Sequence, residues 1–592
     1  MLHRHFPLSI IIVCIITLCI GCGDDSPIPE PTPTPTPTDT TQVDTTTVDP
    51  VDPAVDDYVG WPADYDGVML QGFYWDGFAD AQWTRLTRQV NELSPYFSLV
   101  WVPQSGNCGG LSMGYDDLYW FDHNSSFGTE AELRAMIGAF RDAGIGVIAD
   151  VVINHRKNVS NWVDFPAEEY NGVTYQLTST DICANDDDGA TASWAAQNGY
   201  RLSAANDTGE GWGGMRDLDH TSANVQNNVK AYLHFLLSDL GYTGFRYDMV
   251  KGYAGTYTKM YNEDAKPAFS VGECWDGTST ISRWIEATGR TSAAFDFQFR
   301  YTVRNAVSSG NWARLGQQND GNWPLVSKNY SSGRYRQWAV TFVENHDTEY
   351  RSATAQQDPI RKDTLAANAY MLAMPGTPCV FYKHWKAYKP QIARMIQARK
   401  LCGITNTSST SLVRSTNTYY AASTQGSKGR LVVWLGNQES AATDAALQGM
   451  QCIVSGQHYS YWIDSDLLAE WQRLDVPTFE EQNVPRHDIT VYLLDPGWQD
   501  VYFYAWDGQM YIDDSWPGLR VTATRDISGQ RYFYRTFNVS AEDTYSMNII
   551  FSQGSSAAQT VDITGITSDC YYQIAGTDSN GKFTVTKINI EE

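Results

Sequence analysis

Gly146-Val147-Ile148-Ala149-Asp150-Val151-Val152-Ile153-Asn154-His155 is the stretch that decides the fold. Apolar side chains run through it without strict alternation, as a parallel strand buried on both faces requires, and the run closes on polar groups. Just before it, residues 130–143 carry apolar positions at helical spacing and stop at Gly144, a helix-ending signal. The same alternation extends in both directions. Val68-Met69-Leu70-Gln71-Gly72-Phe73 and Leu99-Val100-Trp101-Val102 read as earlier strands, residues 231–240 as a helix, and Gly244-Phe245-Arg246-Tyr247 as a later strand. Strand–helix repetition over residues 58–400 belongs to an α/β fold, a (β/α)₈ barrel or a doubly wound sheet. No Gly-x-Gly-x-x-Gly or Walker loop opens a strand-to-helix turn, which favours the barrel.

Residues 156–220, rich in Asn, Asp and Gly, interrupt the pattern after the third strand and read as an irregular inserted subdomain. Helical signals fade near residue 400. Residues 401–463 read as a small β domain, 464–488 as a Pro- and charge-containing joint, and 489–592 as a β-sandwich of short strands. The 592 residues suit several such units. With 42 Lys and Arg against 68 Asp and Glu, the net charge of −26 argues against a nucleic-acid partner or an anionic membrane surface. Aromatic residues make up 13% of this acidic chain, a composition that sugar stacking would also produce. Seven cysteines lie beyond the N-terminal segment with no Cys-x-x-Cys pair among them, so a zinc ribbon is not expected.

The chain begins with an address. Arg4 and His5 precede the apolar run 8–20, which is shorter than the roughly 20 residues a membrane span needs. Cys19-Ile20-Gly21-Cys22 resembles a bacterial lipoprotein signal, so residues 1–22 are expected to direct export and Cys22 to carry a lipid. Gly23-Asp24-Asp25 resembles a surface-export signal, which implies an outer-membrane or cell-surface lipoprotein whose only membrane contact is the anchor. The Pro, Thr and Asp repeats of residues 23–57 can bury no core and form an extended spacer.

Four polar clusters fall at the ends of apolar runs, where barrel enzymes keep their active sites. They are Asp150 to His155, Gly244-Phe-Arg246-Tyr-Asp248, Gly272-Glu273-Cys274-Trp275 and Phe342-Val-Glu-Asn345-His346-Asp347. Together they resemble the four short regions of the α-amylase family, glycoside hydrolase family 13. Met69-Leu-Gln-Gly-Phe73, Gly114-Tyr115, Asp181-Ile-Cys183, Asp207-Thr-Gly209, Asp217-Leu-Asp-His220 and Pro375 to Tyr382 follow in family order, and Lys251-Gly252-Tyr253 resembles the plant-type branch.

The resemblance implies Asp248 as nucleophile, Glu273 as proton donor and Asp347 as the carboxylate that grips the distorted sugar. Arg246, His155, His346, Tyr115 and Lys251 are implied to bind substrate, with Tyr115 stacking on the sugar ring. Two carboxyl groups of opposite protonation are what retaining glycoside hydrolysis needs. A structural Ca²⁺ is implied at Asn154, Asp207 and the Gly252 carbonyl, with a further carboxylate from Asp186 or Asp187, Asp187 standing for the pair. In the C-terminal block, Val501 to Trp506, Ser515-Trp516-Pro517-Gly518 and Met547 to Gln553 resemble starch-binding modules of carbohydrate-binding family 26. That implies a platform of Tyr504, Trp506 and Trp516 with Gln553 beside it.

The expected function is endo-hydrolysis of α-1,4 bonds in starch, with an α-glucan as partner and the protein as a monomer. Two alternatives share these features: an α-glucan transglycosylase or debranching enzyme on the same fold, and a non-catalytic glycan-capture lipoprotein.

Overall fold

The structure, a computed structural model, describes residues 58–351, 355, 357–479, 486–507, 510–511, 516–540, 546–554 and 558–590. The signal segment, the lipidation site Cys22 and the spacer lie outside the described residues, as do residues 480–485 of the joint.

Eight short strands form the centre: β1 (Met69–Gln71), β2 (Leu99–Trp101), β3 (Gly146–Val151), β4 (Gly244–Tyr247), β5 (Phe269–Gly272), β6 (Ala293–Phe295), β7 (Ala339–Thr341) and β8 (Thr377–Phe381). Each pairs in parallel with its neighbours in sequence, and β8 returns to β1 at Met69↔Cys379, closing a barrel. Helices cover the outside, one following most strands. The doubly wound alternative is thereby excluded.

Local chemistry explains the helix ends. Thr129 and Glu132 form a reciprocal capping box that starts the helix Glu130–Asp142, and Leu133, Met136, Ile137 and Phe140 bury one face of it. The helix expected at 231–240 begins earlier, at Ala223–His234, and continues as a π-helical turn, Phe235–Leu240. Its polar first turns hide it in the sequence, but Ser222 caps it and Val225, Val229, Tyr232 and Leu233 bury a helical stripe.

The insertion is more ordered than its composition suggests. His155–Arg156 pairs with Arg216–Asp217, Glu168–Tyr170 with Val173–Tyr175, and a helix spans Ala190–Gln197. Buried ion pairs hold it: Arg156 with Glu168, and Arg216 with both Asp186 and Asp187. Such pairs fix geometry more than they add stability.

Beyond the barrel, the strands Ser409–Ser415, Tyr419–Gln425, Arg430–Gly436, Tyr459–Asp464 and Met450–Gly456 form one antiparallel sheet in that order. The last block is two sheets around a shared core of Ile489, Val491, Leu493, Phe503, Ala505, Ile549 and Phe551, the expected sandwich. The seven cysteines of the described residues are all free thiols, and only Cys452 is exposed. Among the described residues, no helix is long and apolar enough to cross a membrane.

Candidate active site

Strand register builds the site. Asp150 on β3 and Arg246 on β4 are direct cross-strand partners. The backbone then continues beyond the strand ends in ladder fashion, with Asp248 N donating to Val151 O (2.9 Å) and Glu273 N to Tyr247 O (3.0 Å). Four acidic or basic side chains from three neighbouring strands therefore converge at one barrel mouth.

Arg246 is the hub. It is buried, and its Nη1 donates to Asp150 Oδ1 (2.7 Å) and Asp248 Oδ1 (2.6 Å), while Nη2 reaches Glu273 Oε2 at 2.9 Å. Its guanidinium also lies over Trp101, 4.9 Å from the ring centroid. The carboxyls gathered at this mouth are pushed in opposite directions. Burial pushes the Glu273 carboxyl well above the usual range, Arg246 pulls it down, and Asp248 and Asp347 push it further up. Burial also raises Asp150, against Arg246. Asp347 goes the other way: burial would raise it, but His346, Arg246 and Arg351 outweigh that and bring it down to about 2. One site thus favours the protonated form of Glu273 and the ionised form of Asp347.

The histidines orient around these acids. His346 Nδ1 accepts from Gln71 Nε2 (2.9 Å), and Nε2 meets Tyr115 Oη (2.8 Å) and Asp347 Oδ2 (3.0 Å). Burial pushes the His155 imidazole below its ordinary value; its Nε2 donates to Tyr115 O (3.0 Å), and the ring stacks on Trp212. Tyr115 hydrogen-bonds Asp150 Oδ2 (3.0 Å), and its ring lies parallel to both His346 and Trp75. Lys251 stands at the rim, bridging Glu210 Oε1 (2.8 Å) and Asp276 Oδ2 (3.1 Å) rather than joining the Arg246 cluster.

Sequence reasoning missed several neighbours. Asp150 and Trp101 contact Arg246 directly, and Arg351 lies over Trp75 (4.1 Å) while donating to His346 O (2.7 Å). Trp275 stays exposed beside the cleft, stacked on Phe297. Trp75 and Arg351 stand on loops after β1 and β7 with no motif around them, so only geometry reveals them.

The implied calcium ligands are brought together in part. A methyl group at Gly252 would overlap Asn154 Oδ1, so these two residues touch. Asp207 Oδ2 is buried without a hydrogen-bond partner. A Cβ added at Gly211 would lie 3.5 Å from Asp207 Oδ2 and 3.8 Å from Asp217 Oδ2, and Asp217 Oδ1 is 3.4 Å from Asn154 Nδ2. Asp187 does not join them: its Oδ2 pairs with Arg216 (2.7 Å) and its Oδ1 accepts from Gly214 N (2.9 Å). Asp186 is likewise taken by Arg216 and Thr191. Asp217 lies beside Asn154 instead, in the Asp217-Leu-Asp-His220 stretch. No group of three or more His, Cys, Asp or Glu side chains among the described residues encloses a metal-sized point. A partnerless carboxylate oxygen beside an amide and a second acid fits a hard cation that takes amide and carbonyl oxygens as well.

In the C-terminal sandwich, the strand Tyr502–Asp507 alternates: Phe503 and Ala505 enter the core, whereas Tyr504 and Trp506 face out. Tyr504 lies 5.9 Å from Trp506 and 5.3 Å from the exposed Trp516, centroid to centroid. Gln553 is exposed at the end of the neighbouring strand, which pairs Ser552 with Tyr502. Tyr502, a candidate for the core, is only half-buried.

A closed (β/α)₈ barrel that gathers Asp248, Glu273 and Asp347 at one mouth, with Glu273 pushed up and Asp347 pushed down in pKa, defines a glycosidase-type site. The family model for the alpha amylase catalytic domain matches residues 93–385. The chain is 30% identical over 377 residues to probable alpha-amylase 2 of Arabidopsis thaliana, covering 60% of this chain and 85% of that one. It is also 30% identical over 405 residues to the glucan 1,4-alpha-maltotetraohydrolase of Roseateles saccharophilus, covering 62% and 68%. The solved alpha-amylase of Malbranchea cinnamomea is similar in fold, with a TM-score of 0.50 at 17% identity over 68% of this chain and 97% of that one. The chain belongs to the alpha-amylase family of glycoside hydrolases, enzymes of α-glucans.

Proposed function

We propose that the protein is an α-amylase that cleaves internal α-1,4 bonds of starch with retention of configuration. One observation carries this reading: a single guanidinium grips Asp248 and Glu273 together, and burial pushes the Glu273 carboxyl well above its ordinary range. In the first step Glu273 gives its proton to the glycosidic oxygen as Asp248 attacks C1. The C1–O bond to the leaving sugar breaks and a C1–O bond to Asp248 forms. In the second, water attacks C1, the Glu273 carboxylate takes its proton, and the bond to Asp248 breaks. Asp347 and His346 hold sugar hydroxyls, and Trp101 beneath Arg246 fixes the guanidinium and donates to Asp150 Oδ2 (3.1 Å).

Asn154, Asp207, Asp217 and the Gly252 carbonyl are the residues that would hold Ca²⁺, which would supply positive charge tying the end of β3 to the insertion. Tyr504, Trp506, Trp516 and Gln553 would hold starch on the C-terminal sandwich. Cys22 would carry a lipid and the spacer would hold the enzyme away from the outer membrane, a reading that rests on the sequence alone.

The 30% identity to a glucan 1,4-alpha-maltotetraohydrolase favours a second reading, release of one short maltooligosaccharide. A timed product analysis on amylose decides. Internal cleavage yields a broad range of lengths at early times; one dominant short product contradicts it and supports the second reading.

A further inference from the structure

Large aromatic side chains are usually buried, so those left in water need a reason. On the insertion, Trp162 and Tyr200 keep 41% and 43% of their surface exposed. They belong to one row. Trp162 lies nearly parallel to Trp194 (centroids 6.2 Å apart, 11° between planes), and Trp194 to Tyr200 (5.8 Å, 16°). Trp194 is fixed by its helix, Ala190–Gln197, which buries Thr191 and Ala195. The Arg216 guanidinium, held by Asp186 and Asp187, sits 5.2 Å from the Trp162 centroid and backs the row at that end. Arg216 is also the strand partner of Arg156, the residue after His155, so the row and the cleft are connected through one two-stranded ribbon.

On the reading of the substrate as an α-glucan, the geometry points to the Trp162–Trp194–Tyr200 row as a further α-glucan-binding site, distinct from the catalytic cleft and from the C-terminal platform. Near-parallel rings 6.2 and 5.8 Å apart fall in the range of offset stacking, an arrangement that leaves part of each apolar face uncovered and in similar orientation. The C–H face of a pyranose ring stacks on such a surface, and adjacent glucose units of one chain can occupy adjacent rings. The row carries no charge of its own, which suits a neutral polymer. A site here would keep a long chain near the cleft between cleavages, raising its effective concentration there without touching the reacting bond.

The test is affinity electrophoresis of the full chain in native gels with soluble starch. It is run in a Tyr504→Ala/Trp506→Ala background so that the C-terminal rings do not mask the effect. Adding Trp162→Ala/Tyr200→Ala is expected to weaken starch retardation about fivefold or more. The kcat/KM on maltotriose and the unfolding midpoint should stay unchanged. Tyr200→Ala alone, which leaves the Trp162–Arg216 contact in place, should give a smaller loss in the same direction. Unchanged retardation in both variants overturns the proposal. So does intact starch binding accompanied by loss of a dimer in gel filtration, which would make the row an interface between copies of this chain. If the unaltered protein neither cleaves maltotriose nor binds starch, the α-glucan reading itself falls. That outcome is distinct from one in which cleavage persists and the row proves idle.

Discussion

Arg246 meets three carboxyl groups with two nitrogens, and the active site depends on that arrangement. A lysine keeps the charge but is a single point and cannot span the three acids. Arg246→Lys is therefore expected to lower starch hydrolysis about a hundredfold, measured as reducing-end release, with little change in secondary structure. Asp248→Asn should reduce it about a thousandfold or more, because no other group can take the bond to C1. Glu273 makes the pH dependence. Its raised pKa means the acid form is lost as pH rises through that value, so kcat/KM on starch should fall on the alkaline side. On a glycosyl fluoride, whose leaving group needs no proton, that limb should flatten. The same residue costs stability. A group whose folded pKa is raised stabilises the fold below its unfolded pKa and loses that contribution as pH rises through the folded value. The gain in unfolding midpoint of Glu273→Gln over the parent should therefore grow as pH increases. These acids were legible in the sequence because each follows a strand with its spacing intact. Asp150 lies within an apolar strand, and its part in the cluster emerges only from the β3–β4 register.

At the scale of elements, the insertion and the β7 loop show where sequence reading stops. Spacing in an irregular loop carries no geometry, so Asp187 looked as good a calcium ligand as its neighbours. Arg216, 29 positions further along the chain, pairs with it and with Asp186, leaving Asp217 beside Asn154. Chelation is expected to lower the unfolding midpoint of the parent, and Asp207→Asn should remove most of that sensitivity, read by a thermal melt with and without chelator. An equal drop in both would place the metal elsewhere. Trp75 and Arg351 were invisible for a related reason: each is a lone residue brought to Tyr115 and His346 by loop paths with no periodicity.

For the molecule as a whole, the order of parts was readable because each has its own period: strand and helix alternating in the barrel, short strands beyond it. The starch-binding reading of the last sandwich rests on one strand's alternation, which sends Tyr504 and Trp506 outward and Phe503 inward. Tyr504→Ala/Trp516→Ala should weaken sedimentation with starch granules while leaving the rate on short soluble maltooligosaccharides intact. The central claim, that Asp248 forms the bond to sugar and Glu273 handles the proton, is tested most directly by the mass of the intact protein after exposure to α-maltosyl fluoride. In Glu273→Gln the first step needs no acid and the second lacks its base, so a covalent maltosyl adduct should accumulate on the protein. Asp248→Asn should show none. An adduct that forms equally in both variants, or its absence from Glu273→Gln while the parent hydrolyses the fluoride, would contradict the account.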